Sequence, residues 1–184
     1  MQVSSISHST CSVTLTRSLL ALGFALLIGL GAHIKIYLPF TPVPMTFQTF
    51  FLLVGAAYLR RYYSLQMIAW YLLLGFVGFP LFANQSAGFA YLLGPTGGYL
   101  LGFVLAASLL GFFSFRNPIG QFFLFLLAHT ILFVPGIFWL HQFLGGAWQE
   151  TLAKGLYPFL FGDLLKSAAA FFCWFLFSKY SKAS

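Results

Sequence analysis

The chain has 184 residues, 60% of them apolar and only 6% charged, and its nine Lys and Arg against two acids give a formal charge of +7. That balance excludes an ordinary soluble domain and points to a polytopic membrane protein. The bases stand singly among apolar residues instead of clustering with polar ones, so they read as anchors of helix ends, and no nucleic-acid partner is expected.

Spanning a bilayer takes roughly 20 mostly apolar residues, and the charges and prolines divide the chain by that rule. An all-α fold with six transmembrane helices results, at about 17–34, 45–59, 63–79, 95–115, 119–140 and 158–178. Residues 1–16 are Ser/Thr-rich and form a polar N-terminal segment. No Ala-x-Ala-like cleavage site follows the first apolar run, so that run is expected to be retained as a helix. Arg17, Arg60, Arg61, Arg116, Lys179 and Lys182 fall on one side of this topology, and Lys35 and Lys154 on the other. The positive-inside rule then places both termini in the cytoplasm, in a multi-pass protein surrounded by membrane lipid.

Three segments face outward: 35–44, 80–94 and 141–157. The first is too apolar for a solvated loop and too rich in proline for a helix. The second mixes apolar residues with the polar tip Asn84-Gln85-Ser86. Irregular backbone at membrane depth is tolerated where protein buries it or where it lines a cavity, so both are candidate walls of an outward-facing pocket. In the third, Ala147 to Lys154 reads as a short interfacial helix, with Glu150 and Lys154 spaced i to i+4.

The sixth helix contains Asp163, one of the two acids, and Lys166 three residues later. Positions three apart share a helix face. From a start near Pro158, they lie about 7 and about 12 Å down the axis at ~1.5 Å per residue, in the outer half of the bilayer. Intramembrane charge is costly and usually functional. The pair either satisfies itself inside the bundle or meets a small solute carrying an anionic end for Lys166 and an N–H end for Asp163. Gln48 and Asn84 are amides near the same level, and Asn84 sits at a polar tip. Tyr91, Thr96 and Tyr99 complete the candidate binding residues, the aromatics as packing for an apolar ligand body.

Other motifs point to less. Gly94-Pro95-Thr96-Gly97-Gly98-Tyr99 lacks the Lys-Ser/Thr of a phosphate loop, so no nucleotide is expected. Cys11 and Cys173 lie far apart, and neither His33 nor His129 has a metal-spaced partner, so no metal or cofactor is expected either. Ser86 and His129 would make an intramembrane hydrolase dyad only with an orienting acid and a nucleophile elbow, which are missing. Ala21, Ala25 and Gly29 form a small-residue ladder on the first helix, suited to close approach of another helix or to internal packing.

Four blocks stand out: Pro39-Phe40-Thr41-Pro42-Val43-Pro44-Met45-Thr46-Phe47-Gln48-Thr49, Gly78-Phe79-Pro80-Leu81-Phe82-Ala83, Leu93-Gly94-Pro95-Thr96-Gly97-Gly98-Tyr99-Leu100-Leu101-Gly102-Phe103, and Pro158-Phe159-Leu160-Phe161-Gly162-Asp163-Leu164-Leu165-Lys166. In order and spacing they resemble the BioY family of biotin transporters, the substrate-binding (S) components of energy-coupling-factor (ECF) transporters. The resemblance implies a single six-helix substrate-binding domain over 17–184 and biotin bound from outside. It implies that Asp163 takes the ureido N–H groups and Lys166 the valerate carboxylate. It also implies a transmembrane coupling protein and two cytoplasmic ATPases as partners, with the Ala21, Ala25 and Gly29 face similar to the surface used for docking. The chain departs from the family pattern at Asn84-Gln85-Ser86-Ala87-Gly88, where many members have a glycine-rich run, and at Phe161 before the Gly-Asp pair. The alternative readings are a transporter component for another small carboxylate-bearing vitamin, an intramembrane enzyme, and a purely structural membrane subunit.

Overall fold

A computed structural model describes residues 3–180 of the chain, with side chains described over 13–179. Residues 1 and 2 of the expected N-terminal segment, Lys182 among the sorted bases, and the Cys11 side chain lie outside these. Helix α1 (Val3–His33) leads into strand β1 (Lys35–Ile36), a proline-rich turn and strand β2 (Met45–Thr46). The strands are antiparallel, with Lys35 opposite Thr46 and Ile36 opposite Met45. Then come α2 (Gln48–Leu59), α3 (Arg61–Val77), a 3-10 turn (Ala83–Gln85), the one-turn α4 (Phe89–Leu92) and α5 (Gly97–Phe112). The chain closes with α6 (Pro118–Ile131), α7 (Phe133–Leu144), α8 (Trp148–Gly155) and α9 (Leu160–Tyr180).

Each stretch expected to be helical is helical, with ends moved for identifiable reasons. α1 starts well before Arg17, because no Gly or Pro interrupts the run from Val3 to Leu22 and helix propagates cheaply once begun. The second helix starts at Gln48, not Met45, because Met45 and Thr46 are taken into the hairpin. α3 stops at Gly78, which adopts a left-handed conformation (φ 116°), and Pro80 follows. Asn117 caps α6 by accepting from the Ile119 N–H at 3.1 Å, with Pro118 in the first turn. The expected fifth helix over 119–140 is a correction: it is two helices, α6 and α7, meeting at Leu132. Pro135 lacks the N–H that the Ile131 carbonyl would accept, and its ring crowds that turn. The hairpin and α4 escape a periodicity reading, since elements of two to four residues carry no periodic signal.

α2 and α5 form the centre of the bundle. α2 packs against α1, α3, α5, α6 and α9, and α5 against α2, α3, α6 and α7. A Cβ on Gly102 would run into the Leu132 carbonyl, and one on Gly75 into the Phe82 ring, so these glycines permit the closest approaches around the break and the 3-10 turn. The small-residue ladder is turned inward. Ala21 and Ala25 are 0% exposed and a Cβ on Gly29 would strike Leu81, so the expectation that this face docks a partner is corrected to internal packing.

Among the described residues, Val13–His33, Pro118–Leu144 and Leu160–Lys179 are long and apolar enough to cross a membrane, while Gln48–Leu59 and Gly97–Phe112 are apolar but shorter. The bases separate by position. The Arg17 guanidinium lies 5.7 Å from the centre of the Tyr63 ring at the start of α3, and Arg60, Arg116 and Lys179 line one cleft. Lys35 and Lys154 belong to the other end, where Lys35 meets Asn84, and Lys154 pairs with Glu150 at 2.6 Å on α8, the helix expected over 147–154.

Candidate functional site

Two hydrophobic cores fail to merge at one end of the bundle. The larger draws on α1, α2, α3, α5, α6 and α9, and the smaller comprises Val43, Tyr99, Leu132, Phe133, Leu140 and Phe159. Between them lies a cavity of about 550 Å³ with its open mouth included. The hairpin arm from Val43 to Thr49, the segment before α5, the α6–α7 break and α9 enclose it. Its lining is apolar except for a few convergent polar groups, and six of the seven expected binding residues are among them: Gln48, Tyr91, Thr96, Tyr99, Asp163 and Lys166.

Asp163 and Lys166 are each only 8% exposed. The Lys166 ammonium pairs with Asp163 Oδ1, and donates to Thr49 Oγ1 at 3.0 Å and to the Thr46 carbonyl at 3.2 Å. An ammonium has three donors, and these two hydrogen bonds stand beside the charge contact with Asp163. On the other side, His129 of α6 brings Nε2 to 3.3 Å from the same Oδ1, while its Nδ1 lies 2.7 Å from Ser167 Oγ. Both contacts with the carboxylate are those of proximity. Neither His129 Nε2 nor Asp163 Oδ1 makes an aligned hydrogen bond among the described residues. Thus a buried carboxylate faces two nitrogen groups through one oxygen, an arrangement whose desolvation needs partners close by.

The remaining polar groups fix the walls. Gln48 donates from Nε2 to the Tyr71 hydroxyl at 2.6 Å and accepts at Oε1 from Thr46 Oγ1 at 3.0 Å, which ties α2 to α3 and to the hairpin. Tyr99 turns its ring to the cavity while its hydroxyl donates to the Gly155 carbonyl at 2.8 Å, holding α8 against α5. Tyr91 stacks on Phe82 with ring centres 4.9 Å apart. Burial pushes the Tyr91 phenol up from its ordinary value, against the smaller opposite effects of Thr96 and the Ala83 backbone, so it remains a donor at neutral pH. Asn84, the seventh expected residue, does not line the cavity. It is exposed in a left-handed conformation (φ 65°), and its Oδ1 accepts from Tyr37 OH at 2.8 Å and from Lys35 Nζ at 3.3 Å. It fastens the second outward segment to the first.

The BioY family model matches residues 4–182. The chain belongs to the BioY family. The biotin transporter BioY of Thermotoga maritima is 36% identical over 149 residues, 80% of this chain and 86% of that one. Biotin transporter BioY2 of Lactococcus lactis is 34% identical over 153 residues, 82% of each chain. The crystal structure of an S-component for biotin from an ECF-type ABC transporter matches with a TM-score of 0.83 at 21% identity, over 91% of this chain and 93% of that chain, so the two share a fold. Like these relatives, the present BioY-family chain is an integral membrane protein.

Four polar residues of this BioY-family site escaped the sequence reading as site residues: Thr46, Thr49, His129 and Ser167. Thr46 and Thr49 lie in the first resembling block, which was a usable signal. Nothing local marks His129, whose partners lie 34 and 38 positions away, on another helix. The hydrolase dyad also changes partner, since His129 meets Ser167 and not Ser86, whose carbonyl accepts from the Phe82 N–H.

Proposed function

We propose that this chain is the biotin-binding component of an uptake system in the cytoplasmic membrane, taking its ligand into the cavity beside α9 from the outer side. The observation that carries this reading is the buried Asp163–Lys166 pair in an otherwise apolar cavity. A ligand with an N–H end and a carboxylate end replaces that pair partner for partner. Lys166 takes the carboxylate, held in place from behind by Thr46 and Thr49. Asp163 takes the ureido N–H groups on its carboxylate. Leu100, Phe103 and Phe133 cover the hydrocarbon part. Gln48, Tyr91 and Thr96 supply polar edges, and Asn84 acts from outside by securing the cover instead of touching the ligand.

In this reading α1, α2, α3, α5, the broken α6–α7 unit and α9 cross the membrane, and both termini are cytoplasmic. The gathering of Arg17, Arg60, Arg116 and Lys179 at one end supports that orientation. The chain is a transport protein and not an enzyme. The Ser167 hydroxyl beside His129 is 0% exposed and lines no part of the cavity, which leaves a substrate no access to it as a nucleophile. A transmembrane coupling protein and two cytoplasmic ATPases complete the system.

Equilibrium binding of labelled biotin to the purified chain tests the site. Asp163→Asn and Lys166→Met should each weaken binding by about 10- to 100-fold, the worth of one hydrogen bond to a charged group. Unchanged affinity in both variants would sink the assignment. Competition by other small carboxylate-bearing vitamins at comparable concentration would move the substrate away from biotin while leaving the site in place.

A further inference from the structure

The opposite end of the bundle holds a second, larger cavity. It lies between the C-terminal end of α2, the α5–α6 connection and the C-terminal end of α9, and encloses about 1800 Å³, mouth included. Its charged lining consists of Arg60, Arg116 and Lys179, with no acid. The chain has only two acids, and both are committed elsewhere: Glu150 to Lys154 and Asp163 to Lys166. Among the described residues, therefore, no carboxylate neutralises these three cations.

The rest of the wall is aromatic. Tyr58, Phe115 and Phe177 are each about half exposed, and Trp174 stands with them. The backbone at the α2–α3 corner is also unusual. Arg60 and Arg61 have positive φ of 58° and 50°, sparsely populated backbone that costs a non-glycine residue roughly 1–3 kcal/mol. A glycine would take this corner without that cost, and two arginines occupy it instead.

We infer that this cleft binds an anionic phospholipid, its phosphate held by Arg60, Arg116 and Lys179 and its acyl chains laid along Trp174 and Phe177. Basic pockets between transmembrane helix ends are suited to acidic lipid head groups, and guanidinium forks match phosphate oxygens bidentately. Free phosphate would satisfy the cations but leave the aromatic wall uncovered. An acidic protein segment would satisfy the cations too, but a cleft that joins a charged floor to apolar walls matches a ligand with both characters in one molecule. This site is independent of the biotin reading, since it shares no residue with the first cavity.

Native mass spectrometry of the chain released from nanodiscs of phosphatidylcholine containing phosphatidylglycerol tests it. The wild type should retain phosphatidylglycerol in preference to phosphatidylcholine, and each base removed should lower that retention about fivefold. The variants are R116Q alone and the triple R60Q/R116Q/K179Q, with the midpoint of thermal unfolding in detergent as the check on folding. If the triple variant misfolds, the single variant decides. A folded variant that retains phosphatidylglycerol as the wild type does overturns the proposal. So does displacement of the lipid by millimolar inorganic phosphate, or an absence of lipid preference in the wild type together with protection of these arginines from labelling only by a co-purified protein.

Discussion

His129 Nε2 lies 3.3 Å from Asp163 Oδ1, while Nδ1 of the same ring meets Ser167 Oγ at 2.7 Å. One arrangement that serves both contacts has the Ser167 hydroxyl donating to Nδ1, so that the Nε2 proton lies on the side of the carboxylate. The histidine thus holds Asp163 from behind without entering the cavity, whose lining does not include it. His129→Phe should weaken biotin binding about tenfold, the worth of one lost charge-assisted contact. His129→Gln, whose amide can present an N–H to the carboxylate, should recover part of that loss. Equal affinities for the phenylalanine variant and the wild type would reduce His129 to filler.

The pair of Asp163 and Lys166 has a structural and a binding role that substitution can separate. Removing either partner alone leaves an uncompensated buried charge and should lower stability by about 3–5 kcal/mol. Replacing both, as Asp163→Leu with Lys166→Met, should recover most of that stability, because a buried ion pair is commonly no better than apolar groups of similar size. Biotin binding should stay lost in the double variant. Thermal unfolding in detergent beside biotin titration reads the two effects, and a stable double variant that still binds biotin would refute the ligand-binding role.

Gln48 depends on Tyr71, a wholly buried residue of α3 whose hydroxyl accepts the amide N–H at 2.6 Å. Tyr71→Phe removes the acceptor and strands a buried donor, at a cost of about 1–3 kcal/mol. The midpoint of thermal unfolding should fall by about 2–4 °C for each kcal/mol lost in a chain of this size. An unchanged midpoint would mean that Gln48 finds another partner.

Asn84 provides the test of the cover. Asn84→Ala deletes the acceptor for both Tyr37 and Lys35. Each ordinary hydrogen bond contributes about 1 kcal/mol, so biotin should dissociate about five- to thirtyfold faster, with the association rate little changed. Stopped-flow release of labelled biotin measures this. A variant that binds more slowly but releases at the normal rate would place Asn84 on the entry path instead.

Much of this site was legible because charge is so scarce in the chain. An acid and a base three residues apart in an apolar run announce a shared face, and Asp163 and Lys166 are found together. Gln48, Tyr91, Thr96 and Tyr99 were read from irregular or resembling blocks, and they share the cavity with that pair. The small-residue ladder taught less. Spacing of four reveals that something approaches closely, but whether Ala21 and Ala25 meet a neighbour in the chain or a separate protein is decided by the fold. His129 stayed hidden for the same reason, since its partners are tertiary. The break at Leu132 lies three residues before Pro135, inside an uninterrupted apolar run that reads as one span.

The groups that hold Lys166 in place, Thr46 and Thr49, precede it by 120 and 117 residues. The binding site therefore has no partial form during synthesis. Until the last helix has entered the membrane, the hairpin arm has no cation to hold, and a chain cut short before α9 has neither end of the ligand to grip. Capture of biotin consequently certifies a finished chain, so a labelled vitamin doubles as a probe of complete assembly in the membrane.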